Sequence, residues 1–188
     1  MTSDTTLWLA RHGQTEWSRS GRHTGTTDLP LLPEGVEAAR KLADRLDGQR
    51  FGLVLTSPLA RARTTAELAG FAEAEVTPDL VEWNYGAYEG LTTVQIRERV
   101  PDWTVWSDGV PDGETADDVA HRVDRVIARA RDGGGATLVF GHGHCLRALT
   151  ARWLGQPVAE GRLYRLDTAT VSTLGYERET PVILRWNA

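Results

Sequence analysis

Leu7-Trp8-Leu9-Ala10-Arg11-His12-Gly13-Gln14-Thr15 is the stretch whose reading decides the fold. Four apolar residues run into an adjacent Arg-His pair, and a Gly follows at once. Leu7 to Ala10 predict a short buried strand. Arg11 and His12 then fall where strand gives way to loop. In open α/β sheets, ligands gather outside the carboxyl ends of strands. Gly13 has no side chain, so backbone N–H groups there are expected to come close to an anion. An Arg-His pair at a strand end is, on its own, usually plain surface. Three partners further along the chain change that reading.

The chain has 188 residues, enough for one domain with a proper core, and residues 1–188 read as a single unit. Its 40% hydrophobic and 25% charged content is that of a globular protein. A net charge of −5 gives no global attraction for nucleic acid, so any anion site must be a local cluster. Lys41 is the only lysine, which leaves nearly all positive charge on guanidinium groups suited to phosphate. Cys145 is the only cysteine, which excludes an intramolecular disulfide and a multi-cysteine metal site. Met1-Thr2-Ser3-Asp4 carries neither a basic nor an apolar leader region. No apolar run approaches the roughly 20 residues that cross a bilayer. The expectation is a cytoplasmic protein with no membrane or nucleic-acid partner.

Further along, Thr15 is expected to cap a helical turn from Glu16 to Gly21. Apolar residues at helical spacing (Leu32, Val36, Ala39, Ala43, Leu46) predict one helix from Pro33 to about Asp47, stopped by Gly48. Phe51 to Thr56 reads as a second buried strand. Ser57-Pro58 then opens a helix running to about Ala69, with Ser57 as N-cap and Arg61 near its anion-favouring start. Glu75 to Thr77 reads as a short strand. Asp79 to Gly90 is a loop dense in aromatic and acidic residues, among them Glu82, Trp83, Tyr85 and Tyr88. An aromatic plug over the core accounts for the rings but not for Glu82. Thr92 to Arg99 predicts a helix ended by Pro101, and Trp103 and Trp106 read as packing on one face. Thr115 with Asp118 is expected to cap a long helix whose stripe is Val119, Val123, Val126, Ile127 and Ala130. Thr137 to Phe140 is another buried strand, followed by Gly141-His142-Gly143-His144 and a helix from Cys145 to Leu154. Arg162–Asp167, Val171–Tyr176 and Val182–Trp186 read as short strands, the middle one at a sheet edge. This alternation argues for a mostly parallel sheet covered on both faces.

The two Gly-flanked histidines each sit just past a buried strand. If those strands are neighbours, His12, His142 and Arg11 converge on one point within reach of Arg61. Two arginines and two histidines around one oxyanion make a phosphate clamp. A neutral imidazole there is a competent nucleophile toward phosphorus. A carboxyl group must protonate the departing alkoxide. Glu82 is the best-placed acid, with aromatic surroundings expected to keep it partly protonated.

Arg11-His12-Gly13-Gln14-Thr15 resembles the signature of the histidine phosphatase superfamily, which includes cofactor-dependent phosphoglycerate mutases. Ser57-Pro58-Leu59-Ala60-Arg61-Ala62-Arg63-Thr64-Thr65-Ala66 resembles the family's second arginine block. Glu82-Trp83-Asn84-Tyr85-Gly86 with Glu89-Gly90 resembles its acid/base loop. Gly113-Glu114-Thr115 and Gly141-His142-Gly143 resemble its late motifs. The matches follow in family order over most of the chain. The resemblance implies a three-layer α/β/α sandwich, phosphoglycerate mutase-like, with an antiparallel edge strand. It implies no metal and no cofactor, and a small phosphorylated substrate. It gives His12 as the residue that becomes phosphohistidine, and Arg11, Arg61 and His142 as the groups holding the phosphoryl. Glu82 is implied as proton donor and then base. Ser18, Thr24, Gly25, Tyr85 and Gly143 correspond to positions that touch substrate, with Ser18 standing where many relatives carry Asn.

Gln14-Thr15-Glu16-Trp17-Ser18 and His23-Thr24-Gly25-Thr26-Thr27-Asp28-Leu29-Pro30 resemble the branch containing sedoheptulose-1,7-bisphosphatase and acid phosphatases. A mutase holds a bisphosphorylated intermediate with a lysine and an arginine pair after the acid/base loop. Gly90-Leu91-Thr92-Thr93 lacks that lysine, and Trp106-Ser107-Asp108 lacks that pair. Hydrolysis of small phosphomonoesters, sugar phosphates foremost, is therefore the expectation. A phosphoglycerate mutase and a non-catalytic phosphate-binding protein are the alternatives. A zinc site on His12, His142, His144 and Cys145 is disfavoured because Arg11 would repel a dication.

Overall fold

In the computed structural model, residues 4–188 are described; Met1 to Ser3, read above for the lack of a leader, lie outside them. The opening stretch forms β1 (Thr6–Arg11), and it lies near the middle of the sheet. After it come α1 (Glu16–Ser20), α2 (Pro33–Arg40) and α3 (Leu42–Leu46). Next are β2 (Leu53–Thr56), α4 (Ala60–Leu68), β3 (Glu75–Val76) and α5 (Thr93–Arg97). The rest are α6 (Ala116–Gly133), β4 (Ala136–Gly141), α7 (Gly143–Trp153), β5 (Val171–Glu177) and β6 (Thr180–Arg185).

The sheet runs β3-β2-β4-β1-β5-β6. β3, β2, β4 and β1 are mutually parallel, whereas β5 and β6 pair antiparallel. The central runs of β1, β2 and β4 are apolar because both faces are covered, whereas the two-residue β3 at the rim is exposed. On β1, Leu7 and Leu9 pack with α6 and α7, while Ala10 and Trp8 pack with α3 and α4. Val139 on β4 faces the first core, and Leu138 and Phe140 face the second. Three layers follow: helices, sheet, helices. No helix among the described residues is long and apolar enough to cross a membrane.

Local chemistry sets the helix starts. Thr15, Thr92 and Thr115 each close a capping box, with Ser18, Gln95 and Asp118. Each such cap stabilises by about 1 kcal/mol. The stripe Val119, Val123, Val126, Ile127 and Ala130 is buried as its spacing predicts.

Several expectations change. The helix predicted from Pro33 to Asp47 is interrupted at Lys41, although Ala39, Leu42 and Leu46 still bury one continuous side. Ser57 is not an N-cap: α4 starts at Ala60, and Asp28 supplies the cap instead, its carboxylate accepting the Ala60 N–H at 2.9 Å. α5 stops at Arg97, short of Arg99. Trp103 packs on Tyr88 and His23, but Trp106 packs on Trp83 and His144, so they share no face. Arg162–Asp167 is not a strand. Leu163 is 58% exposed, and the carbonyls of Gly161, Arg162 and Leu166 serve arginine side chains rather than a ladder. Val171–Tyr176 is no edge: β5 lies between β1 and β6, and β6 forms the rim.

Candidate active site

β1 and β4 are adjacent and parallel, with Arg11 opposite Gly141. That register carries His12 and His142 off the same edge of the sheet side by side. Their ring centroids lie 5.2 Å apart. β2 lies on the other side of β4 and delivers Ser57 to the same edge.

His12 is 4% exposed. Its Nδ1 lies 2.7 Å from the Gly13 carbonyl. A carbonyl only accepts, so the ring proton sits on Nδ1 and Nε2 keeps its lone pair. Burial, with the Arg11 and Arg61 charges, holds the His12 pKa well below 6.5. The ring is therefore neutral at physiological pH.

His142 is wholly buried, and both its nitrogens are engaged. Nδ1 accepts Arg61 Nε–H at 3.1 Å, so the ring proton is on Nε2, which donates to Ser57 Oγ at 2.7 Å. Burial first, then the Arg61 charge, holds its pKa well below 6.5. Arg61 is equally buried. It donates to the carbonyls of Thr24, Gly25 and Thr27, and Glu89 secures that loop by accepting the Gly25 and Thr27 amides. Arg61 and His142 thus lie beside His12 as an interlocked pair.

Above them opens a cavity of about 180 Å³. It is smaller than the roughly 300–1,000 Å³ of drug-sized sites. Arg11, His12, Ser18, Thr24, Glu82, Tyr85 and Gly143 line it. Arg61, His142 and Gly25 do not. Arg11 donates to the Leu166 carbonyl, while its buried Nε has no partner among the described residues. Its guanidinium lies against Gly143, where a Cβ would sit 3.3 Å from Cζ.

Glu82 sits at the start of α7. Its carboxyl oxygens accept the amides of Trp83, His144 and Cys145 at 2.8–3.0 Å. N–H donors, rather than the expected aromatic faces, surround those oxygens. The loop carrying Glu82 is tied down by Arg122 of α6, which grips Glu114 with two nitrogens and bonds the Asp79 and Val81 carbonyls. Ser18 spends its hydroxyl on the capping box with Thr15 although it borders the cavity. The Tyr85 hydroxyl hydrogen-bonds to His144 Nδ1. Burial holds His144 below its usual pKa and lowers His23 to about 4.

Gly13 plays another part than expected. A Cβ there would lie 2.4 Å from the Gly35 carbonyl oxygen, and its N–H donates to Thr65 Oγ1. Its smallness serves backbone packing against α2, not anion approach. The rival metal set disperses: His142 is committed to Arg61 and Ser57, His144 to Tyr85 and Cys145 to Arg122.

Among the cavity residues that the sequence reading did not place in the site are two arginines, Arg22 and Arg147, with Gly21, His23, His144 and Leu166. Arg147 stands four positions after Gly143 on α7, a spacing that shares one helix face. That spacing was the available signal. Arg22 stands two positions before Thr24-Gly25, which the family resemblance gives as touching substrate.

The profile of the histidine phosphatase superfamily (branch 1) matches residues 7–188. The chain is 44% identical to an acid phosphatase of Mycobacterium tuberculosis, over 91% of this chain and 86% of the relative. It is 37% identical to a sedoheptulose 1,7-bisphosphatase of Saccharomyces cerevisiae, over 78% of this chain and 66% of the relative. Among solved structures, that of the Mycobacterium tuberculosis open reading frame Rv3214 superposes with a TM-score of 0.92 at 39% identity, covering 97% of each chain.

Proposed function

We propose, for a chain that belongs to the histidine phosphatase superfamily and is a phosphatase, that residues 1–188 form one domain hydrolysing small phosphomonoesters, sugar phosphates among them, through a phosphohistidine on His12. The observation that carries this reading is His12 itself: neutral, with a free Nε2, in a small cavity shared with Arg11 and Glu82.

In the first step Nε2 bonds to phosphorus and the P–O bond to the alcohol breaks. Glu82 gives its proton to the departing oxygen. Its carboxylate then rests on the Trp83 amide and on the His144 and Cys145 amides at the start of α7, where the helix end favours negative charge. In the second step that carboxylate takes a proton from water as the water attacks phosphorus and the P–N bond breaks. Orthophosphate leaves, and Glu82 is again protonated. Arg11 offers donors to the phosphoryl oxygens. Arg61 acts from beneath, by holding the 24–27 loop and adding positive potential beside His12, and His142 keeps it there by accepting its Nε–H.

The test is phosphate release from a panel of sugar phosphates and phosphoglycerate with excess chelator, His12→Ala alongside. Release that persists under chelation and disappears in His12→Ala supports the reading. Loss on chelation alone would overturn it, as would conversion between phosphoglycerates, primed by a bisphosphate, without net release.

A further inference from the structure

Residues 81–85 carry Glu82, yet they belong to no helix or strand. No ladder or helical turn fixes the backbone on which the acid stands. A general acid has to meet its target oxygen within about 3 Å. Such precision must be borrowed from a rigid element, and α6 is the one in reach. Arg122, in the second turn of α6, is 5% exposed. It does not line the His12 cavity.

The Arg122 guanidinium reaches both flanks of the acid. One terminal nitrogen donates to the carbonyl of Val81, directly before Glu82, at 2.7 Å and to that of Asp79 at 3.1 Å. The same nitrogen lies 3.3 Å from Cys145 Sγ, and the Cys145 amide is one of those that hold the Glu82 carboxyl, at 2.8 Å. Nε and the other terminal nitrogen clasp the two Glu114 oxygens at 2.7 and 3.1 Å. Glu114 in turn accepts the Asn84 amide on its carboxylate and the Trp83 indole N–H on its carbonyl, each at 2.9 Å. The residue before Glu82 and the two after it are thus tied to one ion pair. Glu114 immediately precedes Thr115, the cap of α6, so both members of the pair ride on the same helix. A two-point arginine–carboxylate pair fixes orientation as well as distance.

We propose that Arg122, oriented by Glu114, is a positioning residue for Glu82. It touches neither the substrate nor the reacting atoms. It sets the distance between the Glu82 carboxyl and the departing oxygen, and so the efficiency of proton transfer in the first step. This rests on the reading of Glu82 as the acid. A donated proton matters most where a strongly basic alkoxide leaves, and least where a weakly basic phenolate departs unaided. Loosening the clamp therefore penalises one class of ester and spares the other. A general loss of folded structure penalises both alike.

The experiment compares kcat/KM for butyl phosphate and 4-nitrophenyl phosphate, because kcat/KM reads only the steps through departure of the alcohol. Glu82→Gln should lower the butyl-to-nitrophenyl ratio by about 10²- to 10⁴-fold. Arg122→Met should lower it in the same direction by about 10- to 100-fold, through a displaced carboxyl. Arg122→Lys should recover part of the ratio, since the charge survives while the planar fork is lost. Glu114→Gln keeps an acceptor for Asn84 but loses the ion pair, and should lower the ratio by about threefold. If Arg122→Met fails to fold, Arg122→Lys and Glu114→Gln decide: ratios between those of the wild type and Glu82→Gln support the proposal. In the double variant of Glu82→Gln with Arg122→Lys the ratio should fall no further than in Glu82→Gln alone, because the acid is already gone. A further fall there, or an unchanged ratio in the Arg122 and Glu114 variants while Glu82→Gln lowers it, would overturn the positioning role alone. An unchanged ratio in Glu82→Gln itself removes the acid reading, and this inference with it.

Discussion

Arg11-His12-Gly13 and Gly141-His142-Gly143 are near-twins in sequence and occupy matching positions at the ends of neighbouring parallel strands. Their surroundings set them apart. His12 has one nitrogen bonded and the other facing a cavity. His142 has both nitrogens bonded, to Arg61 and Ser57, and no exposure. The following glycines differ as well. Gly13 makes room for the Gly35 backbone, and Gly143 for the Arg11 guanidinium. Equivalent places on a sheet do not confer equivalent chemistry. What each ring has left to offer depends on its partners from elsewhere in the chain.

The largest expected effect breaks the pair outright. His12→Ala should lower kcat by about 10⁴-fold or more, since a nucleophile has no substitute. His142→Ala should cost about 10²- to 10³-fold by releasing Arg61, whose charge it fixes beside His12. Trapping of phosphate on the protein from labelled substrate checks the difference: His142→Ala retains the capacity, His12→Ala does not. Equal losses would make the rings equivalent after all.

The glycines sharpen the contrast. Gly13→Ala drives a methyl into a carbonyl and should destabilise by about 1–3 kcal/mol, read as a lowered denaturation midpoint. Gly143→Ala touches a side chain that can shift. It should lower kcat/KM by about tenfold, through misplacing Arg11, with a smaller change in stability. Ser57→Ala leaves the His142 Nε2–H unsatisfied and should cost about 1–3 kcal/mol.

The smallest effect concerns pH. Both rings have folded pKa values below the ordinary 6.5. The unfolded chain therefore binds more protons than the folded one as pH falls below about 6.5, and stability declines with it. Urea midpoints between pH 7.5 and 5 should fall, less steeply in His142→Gln. The nucleophile stays unprotonated in the same range, so the acid limb of kcat/KM should lie below pH 6.5. A limb above that value would contradict the environment described for His12.

The sequence was most legible where one face or one strand decides the outcome. The buried stripe of α6, its capping box and the apolar run of β1 depend on neighbours a few residues away, and all three hold. It was least legible where a backbone group is served from a distance. The cap of α4 is Asp28, and the carbonyls around 161–166 serve Arg11 and Arg147. Spacing within the helix or the apparent strand carries no trace of either. Arg147 escaped for a related reason: its place on the cavity wall is defined only by the three-dimensional neighbourhood.

By itself, then, the sequence determined that buried strands lead into His12 and His142, that helices cover both faces, and which motifs mark the family. Side-chain period and local capping are short-range physics. Only the tertiary structure decided which histidine is free, and which glycine yields to backbone and which to a guanidinium. Hydrogen-bond saturation and desolvation are properties of the folded surroundings.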